Sequence, residues 1–256
     1  MAVSEDWGSL SDPDVIEARD VYYNIGIRPL PKDRYAQEQW NMAQLHTCVM
    51  NRLEGVYKNA THIAPHDFHN YWAVAYDAVH FLHEHHETEE GHYFPYFDGG
   101  NLMIANENQH AEFAEPILET LAYLDSVNPS KPEAQPFFAS KFRASVDRWL
   151  VTAAKHMAAE LGTLDAEHLK RSGVTVHDMD TAKEDVGKHT MSTQVLKYSL
   201  PAIMAAVPRD FDFPRELPWW GKFILTPMLA YCFGYGRMKY YWNAKRWEKT
   251  APNPPS

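Results

Sequence analysis

The alternation of β-branched residues that marks a strand is nearly absent from this chain. Its apolar positions fall instead in long segments rich in Ala, Leu, Glu, Gln and Met, all good helix formers. Four such segments are predicted as helices, over about 34–58, 66–93, 103–126 and 137–171. Phe94-Pro95 closes the second, because proline cannot continue a helix, and Gly99-Gly100 turns the chain. Pro116 is expected to kink the third, and NPSKPEAQP at 128–136 breaks the chain before the fourth. Helices of this length with mostly short connections predict an all-α fold, an antiparallel four-helix bundle. Beyond Ser172-Gly173 the character changes: a fifth helix over about 181–206, a proline-rich stretch, then a segment over about 220–247 that is apolar first and basic and aromatic after. The organisation is therefore read as an N-terminal extension (1–33), a bundle (34–172) and a C-terminal helical extension (173–256) that packs on the bundle or forms a lid.

Within the second helix, residues 80–97 read HFLHEHHETEEGHYFPYF, with five histidines and four glutamates. Residues four apart share a helix face, so His-x-x-x-Glu can offer an imidazole and a carboxylate to one point. Two overlapping pairs are present here, His85/Glu89 and His86/Glu90, and His156/Glu160 repeats the motif in the fourth helix. His46 and His110 sit centrally in the first and third. Apolar neighbours place all four segments' histidines on inward faces: Leu45, Val49, Met50 and Leu53 around His46, Phe81 and Leu82 before His85, Phe113, Ile117 and Leu121 after His110, and Trp149, Leu150 and Ala153 before His156. One histidine on an apolar stripe is ordinarily a hydrogen-bonded core residue. Four helices repeating the pattern, with two carboxylates that would be costly to bury alone, point to a metal site. His189 could reach it only if the fifth helix covers the bundle end.

Leu45-His46, His85-His86-Glu87-Thr88-Glu89-Glu90 running into Tyr93-Phe94-Pro95, Gln109-His110, and His156 with Glu160 resemble the hemerythrin-like, HHE cation-binding family over residues 38–165, and the C-terminal extension resembles that of fungal members. The resemblance implies a non-haem di-iron centre. It selects His85 and Glu89 as ligands over His86 and Glu90, which become supporting or surface groups. The implied ligand set is His46, His85, Glu89, His110, His156 and Glu160, with Glu89 and Glu160 as bridging carboxylates. Imidazole and carboxylate suit iron, and they also admit zinc, manganese or magnesium. The chain departs from oxygen carriers of that family. They carry His-x-x-x-His in the third helix, where His110 is followed by Ala114 here, and His-x-x-x-x-Asp in the last, where His156 leads to Glu160. That leaves four histidines where the carriers have five, and disfavours simple reversible O2 storage.

Composition narrows the rest. Apolar (45%) and charged (23%) contents are those of a globular protein, and a net charge of -10 excludes a typical nucleic-acid binder. Two cysteines, Cys48 and Cys232, with no secretory-type leader at the N-terminus, suggest a cytosolic setting. No apolar run is long enough to span a membrane; the nearest, 223–236, is broken by Pro227. Arg237, Lys239, Lys245 and Arg246 among Tyr and Trp leave a membrane-surface contact open beside simple packing or a homodimer contact. Two functions compete. One is a di-iron protein binding O2, NO or a related small ligand. The other is a metal-dependent enzyme, an O2-dependent oxidase or oxygenase or a Lewis-acid lyase or cyclase. In the second case Trp219, Trp220, Phe223, Met228 and Tyr231 would line a pocket for a small organic substrate.

Overall fold

The structure, a computed structural model, describes residues 7–97, 102–190, 199–208, 210–213, 215, 218–233 and 240. Every regular element among these residues is helical, with no strand among them. The Gly99-Gly100 turn, the centre of the predicted fifth helix and most of the chain after Phe233 lie outside them.

Asp12 and Asp33 open the first two helices. Their side chains accept from the N–H groups of Asp14 and Tyr35, donors that a helix start leaves unpaired. Helix α1 (Pro13–Gly26) begins on a proline, at the position where a missing N–H costs nothing. Helix α2 spans Arg34–Asn59 and α3 spans Phe68–Thr88. The end of α3 changes pitch: Glu89–Tyr93 form a π-turn, and Phe94–Phe97, with Pro95, close it as a 3-10 turn. Helix α4 (Ile104–Ser126) runs through Pro116, whose carbonyl accepts from Thr120 Oγ1 at 2.9 Å.

The fourth predicted helix is three helices, α5 (Ala139–Asp147), α6 (Leu150–Thr163) and α7 (Ala166–Arg171). The first break falls at Trp149, φ -130°, with no proline or glycine to announce it. Trp149 is fully buried and its indole N–H donates to Thr120 Oγ1 at 3.0 Å. Seating that ring offsets α6 from α5. Further helices follow: α8 (Val176–Thr190), α9 (Leu200–Ala206) and, after a second π-turn at Gly221–Leu225, α10 (Thr226–Phe233).

Helix α2 packs on α3, α3 on α4, α4 on α6, and α6 back on α2, closing a ring. Val49, Leu53, Leu82, Phe113, Ile117, Ala153 and Met157 fill it and are at most 1% exposed. Each large apolar side chain buried there contributes about 1.5–3 kcal/mol. Helix α1 is part of this core, lying along α2 and α6. Helix α8 lies across the π-turn at the end of α3, and α9 packs on α2. Where α1 ends, the approach is close: a Cβ on Gly26 would meet the Phe211 ring at 2.9 Å and Gln44 Cγ at 3.1 Å. Phe211 stacks against Tyr23 and joins Cys48, Ala206 and Val207 in a second small core that pins α9 to α2.

Candidate metal centre

The ring of α2, α3, α4 and α6 encloses a cluster of buried ionisable groups. His46 comes from α2, His85 and His86 from α3, Glu89 from the π-turn, His110 from α4, and His156 and Glu160 from α6. All seven are buried, none more than 8% exposed. They fall into two groups whose donor atoms lie within 4.8 Å of one another: His46, His85, Glu89 and Glu160, and His86, Glu89, His110 and His156. Glu89 belongs to both.

Helix geometry explains the sharing. Adjacent residues project about 100° apart, so His85 and His86 look to opposite sides of one line. Residues three and four further on return to that line. Glu89 is both, three from His86 and four from His85, and it stands between them. His85 Nε2 lies 3.2 Å from His46 Nε2 and 3.1 Å from Glu89 Oε1. The His86 ring lies 4.3 Å from that of His110 and 5.4 Å from that of His156. Glu160 Oε2 approaches His46 Nε2 at 3.4 Å and His156 Nε2 at 3.9 Å.

Outer partners fix which nitrogen faces inward. The Nδ1–H of His46 donates to the Met157 carbonyl at 2.9 Å, that of His110 to Glu90 Oε1 at 2.7 Å, and that of His156 to Gln109 Oε1 at 2.9 Å. Each of these imidazoles then turns its Nε2 inward, the nitrogen left to meet a metal. His110 Nε2 and His156 Nε2 stand 2.8 Å apart.

Electrostatics agree. Burial holds His85 and His86 well below the ordinary imidazole range, and neighbouring imidazoles push them further down. Burial, then His110 and His46, bring His156 to about 2. These rings are neutral and available as ligands at any working pH. Glu89 is driven the other way, well above the carboxylate range, first by burial and then by Glu160. The cluster thus gathers neutral donors around carboxylates that want a positive neighbour. His86 Nε2 and all four oxygens of Glu89 and Glu160 are buried and take no hydrogen bond from the described residues. Buried polar groups are rarely left so. The donor set, its inward nitrogens and its orphaned oxygens fit two metal ions sharing Glu89.

All six residues expected from the sequence, His46, His85, Glu89, His110, His156 and Glu160, come together in this cluster. His86, assigned there to a supporting or surface role, is not at the surface: it is 6% exposed, takes no hydrogen bond at Nε2 from the described residues and lies within the second group. The cluster holds five imidazoles and two carboxylates. The signal for His86 was present in the sequence, since Glu89 stands in register with both members of the His-His pair. Glu90 is outside both groups and carries the support role, orienting His110.

Other expectations resolve differently. His189 does not reach the cluster, although α8 lies across the turns that end α3; its ring stacks on His92 at 4.0 Å, and His92 Nδ1 lies 3.0 Å from Asp185 Oδ2. Tyr93 donates to buried Glu38 Oε2 at 3.0 Å. Tyr22, from α1, sets its ring edge-on to His46 at 6.1 Å, a contact the sequence reading lacked. Trp219, Trp220, Met228 and Tyr231 are 52–77% exposed, with Trp220 at 52% and Tyr231 at 77%. The Phe223 side chain lies outside the described residues. A cleft of about 670 Å³ lined by Ile63, Phe68, Val127, Pro136 and Phe137 sits where α2 ends and α3 begins, apart from the seven cluster residues. No protein-family description, curated protein or solved structure matches this chain.

Proposed function

We propose that the chain is a hemerythrin-like protein whose four ringed helices form a metal-binding bundle holding a dinuclear, non-haem iron centre that binds O2 or a related small ligand. The observation that carries this reading is the set of seven buried donors from four helices, with two imidazole nitrogens 2.8 Å apart and four carboxylate oxygens that take no hydrogen bond from the described residues. His46, His85, Glu89 and Glu160 would hold one ion, and His86, Glu89, His110 and His156 the other. Two such ions would supply Lewis acidity and one-electron chemistry. The protein's part is to keep the imidazoles neutral, to aim them through Met157, Glu90 and Gln109, and to exclude bulk water around the carboxylates. Five imidazoles remove the reason to disfavour a carrier or sensor. The enzyme alternative would use the same dinuclear site.

The test is metal content of the untagged protein by mass spectrometry, with an optical spectrum before and after O2. About two irons per chain and an O2-dependent visible band support the reading. Two spectroscopically silent ions such as zinc or magnesium would end the oxygen argument, and a metal-free protein would end the site.

A further inference from the structure

We propose that Tyr93 is a redox-active tyrosine beside the donor cluster, with Glu38 as the base that takes its proton. The inference rests on the iron reading for its oxidant and on the Tyr93–Glu38 pair for everything else. Tyr93 closes the π-turn that Glu89 opens, four residues further on. Its ring lies 6.2 Å from that of Phe94, which stacks on His110 at 5.7 Å, so a path of rings joins the phenol to a donor. Phe97 packs against the same phenol at 4.5 Å and helps to fix it. Glu38 stands on α2 about two turns before His46, outside both donor groups. Both partners are buried, Tyr93 at 9% exposed and Glu38 at 6%.

Taking an electron from a buried phenol leaves a cation in surroundings that solvate it poorly. The loss becomes accessible when the proton leaves in the same event, to a base already within hydrogen-bond reach. Tyr22 and Tyr93 both border the cluster, and of the two only Tyr93 has such a base. The Tyr22 hydroxyl, on a ring edge-on to His46, is buried with no hydrogen-bond partner among the described residues. Tyr93 Oη donates to Glu38 Oε2 at 3.0 Å. Burial raises Glu38 above the ordinary carboxylate range and makes it a stronger base than an exposed carboxylate, while Tyr93, Arg34 and Lys183 favour its charged form. The step balances within the pair. A strong one-electron oxidant, derived from hydrogen peroxide at the proposed iron site, takes one electron from Tyr93. The Tyr93 O–H bond breaks and an O–H bond forms on Glu38 Oε2. A neutral phenoxyl radical then faces a neutral carboxylic acid. Arg34 Nη1 lies 3.9 Å from Glu38 Oε1, and Arg34 pairs through Nη2 with exposed Asp180 on α8, so the acceptor side of the pair leads to the surface.

The experiment is freeze-quench electron paramagnetic resonance of the full, iron-loaded chain mixed with hydrogen peroxide, with iron content measured on the same samples. A radical signal is expected whose hyperfine pattern narrows when the chain is made with ring-deuterated tyrosine. Tyr93→Phe should abolish it. Glu38→Gln, which still accepts the hydrogen bond and cannot take the proton, should slow its formation about 100-fold, the least that a positioned base typically contributes. Both variants should keep the parent's circular dichroism and iron content, because neither residue is one of the seven donors. An iron-loaded chain that gives no tyrosyl signal overturns the proposal and leaves the iron reading standing, as does a signal that survives Tyr93→Phe. Glu38→Gln forming the radical at the parent's rate overturns it too, and decides the matter even if Tyr93→Phe does not fold. A chain that takes up no iron overturns both readings.

Discussion

Replacing Glu89 by leucine should stabilise the metal-free protein and abolish its response to metal. Glu89 is 2% exposed, neither carboxylate oxygen accepts a hydrogen bond, and Glu160 lies beside it as a second carboxylate. Without a cation this arrangement costs about 1–3 kcal/mol in unmet desolvation, more when the group is charged. Leucine fills similar volume and needs no partner. Exchanging a buried ionic arrangement for apolar side chains typically yields about 1–4 kcal/mol. In a chain of this size each kcal/mol is worth about 2–4 °C, so Glu89→Leu treated with chelator should melt roughly 2–16 °C above chelated parent. Metal reverses the order. Ligand at about a thousandfold over its Kd adds about 4 kcal/mol to the parent, whereas the variant lacks the carboxylate common to both groups and should gain almost nothing. Differential scanning calorimetry on four samples, parent and variant, chelated and loaded, reads the crossing directly. A chelated variant that melts below the chelated parent would mean that Glu89 is satisfied within the protein, and the reasoning from orphaned oxygens would be wrong. A loaded variant that gains as much as the parent would remove Glu89 from the site.

Acid should unfold the chelated protein steeply. His85, His86 and His156 are held below the ordinary 6.5, so their folded forms refuse protons that the unfolded chain takes up, and the stability they supply above pH 6.5 is lost as pH falls. Glu89, raised above 4.5, opposes them, because its folded form binds a proton that the unfolded chain releases as pH rises. Three groups against one leave a net slope of about 2–3 kcal/mol per pH unit between the two reference values, measurable by urea melts at pH 5.0, 5.5 and 6.0; a flat profile would contradict it. His86→Ala should lower metal content by about one ion per chain while His83→Ala, outside both groups, leaves it unchanged, as elemental analysis will show. Glu90→Ala should weaken binding of the ion near His110 by about 10–100-fold in a chelator competition without changing the stoichiometry. Tyr22→Phe should raise the melting temperature by a few degrees, since the hydroxyl it deletes is buried without a partner and its removal is worth about 1 kcal/mol.

The helices that carry the donors could be read from the sequence because the information is local. Asp33 caps α2 at the expected start, and histidine and glutamate four apart need only a helix to meet. His86 was lost to a choice between overlapping pairs that assumed one inward direction per helix. Between two donor groups there are two inward directions, and adjacent residues can face one each. The break at Trp149 left no trace because its cause is distant: a buried ring satisfied by Thr120 from another helix. The outward turn of Trp220, Ile224 and Met228 was equally hidden, since an apolar stripe does not say which way it faces. Helix α1 was read as an extension because it carries no donor, yet Val15, Ala18 and Tyr22 are buried in the main core.

That last feature bears on how far the protein is modular. Spacing of the donors would invite an expression boundary at residue 34, just before the first helix that supplies one. Such a cut would strip α1 from the seam between α2 and α6 and remove Tyr22 from the edge of His46. It would also remove two donors to Asp147, Ser9 N at 3.1 Å and Ser9 Oγ at 2.5 Å, and leave Tyr57 Oη at 2.8 Å. The smallest piece that keeps the cluster dry is therefore longer than the piece that contains it. A fragment trimmed to the donors alone would hold every ligand and leave one wall of the site open to water.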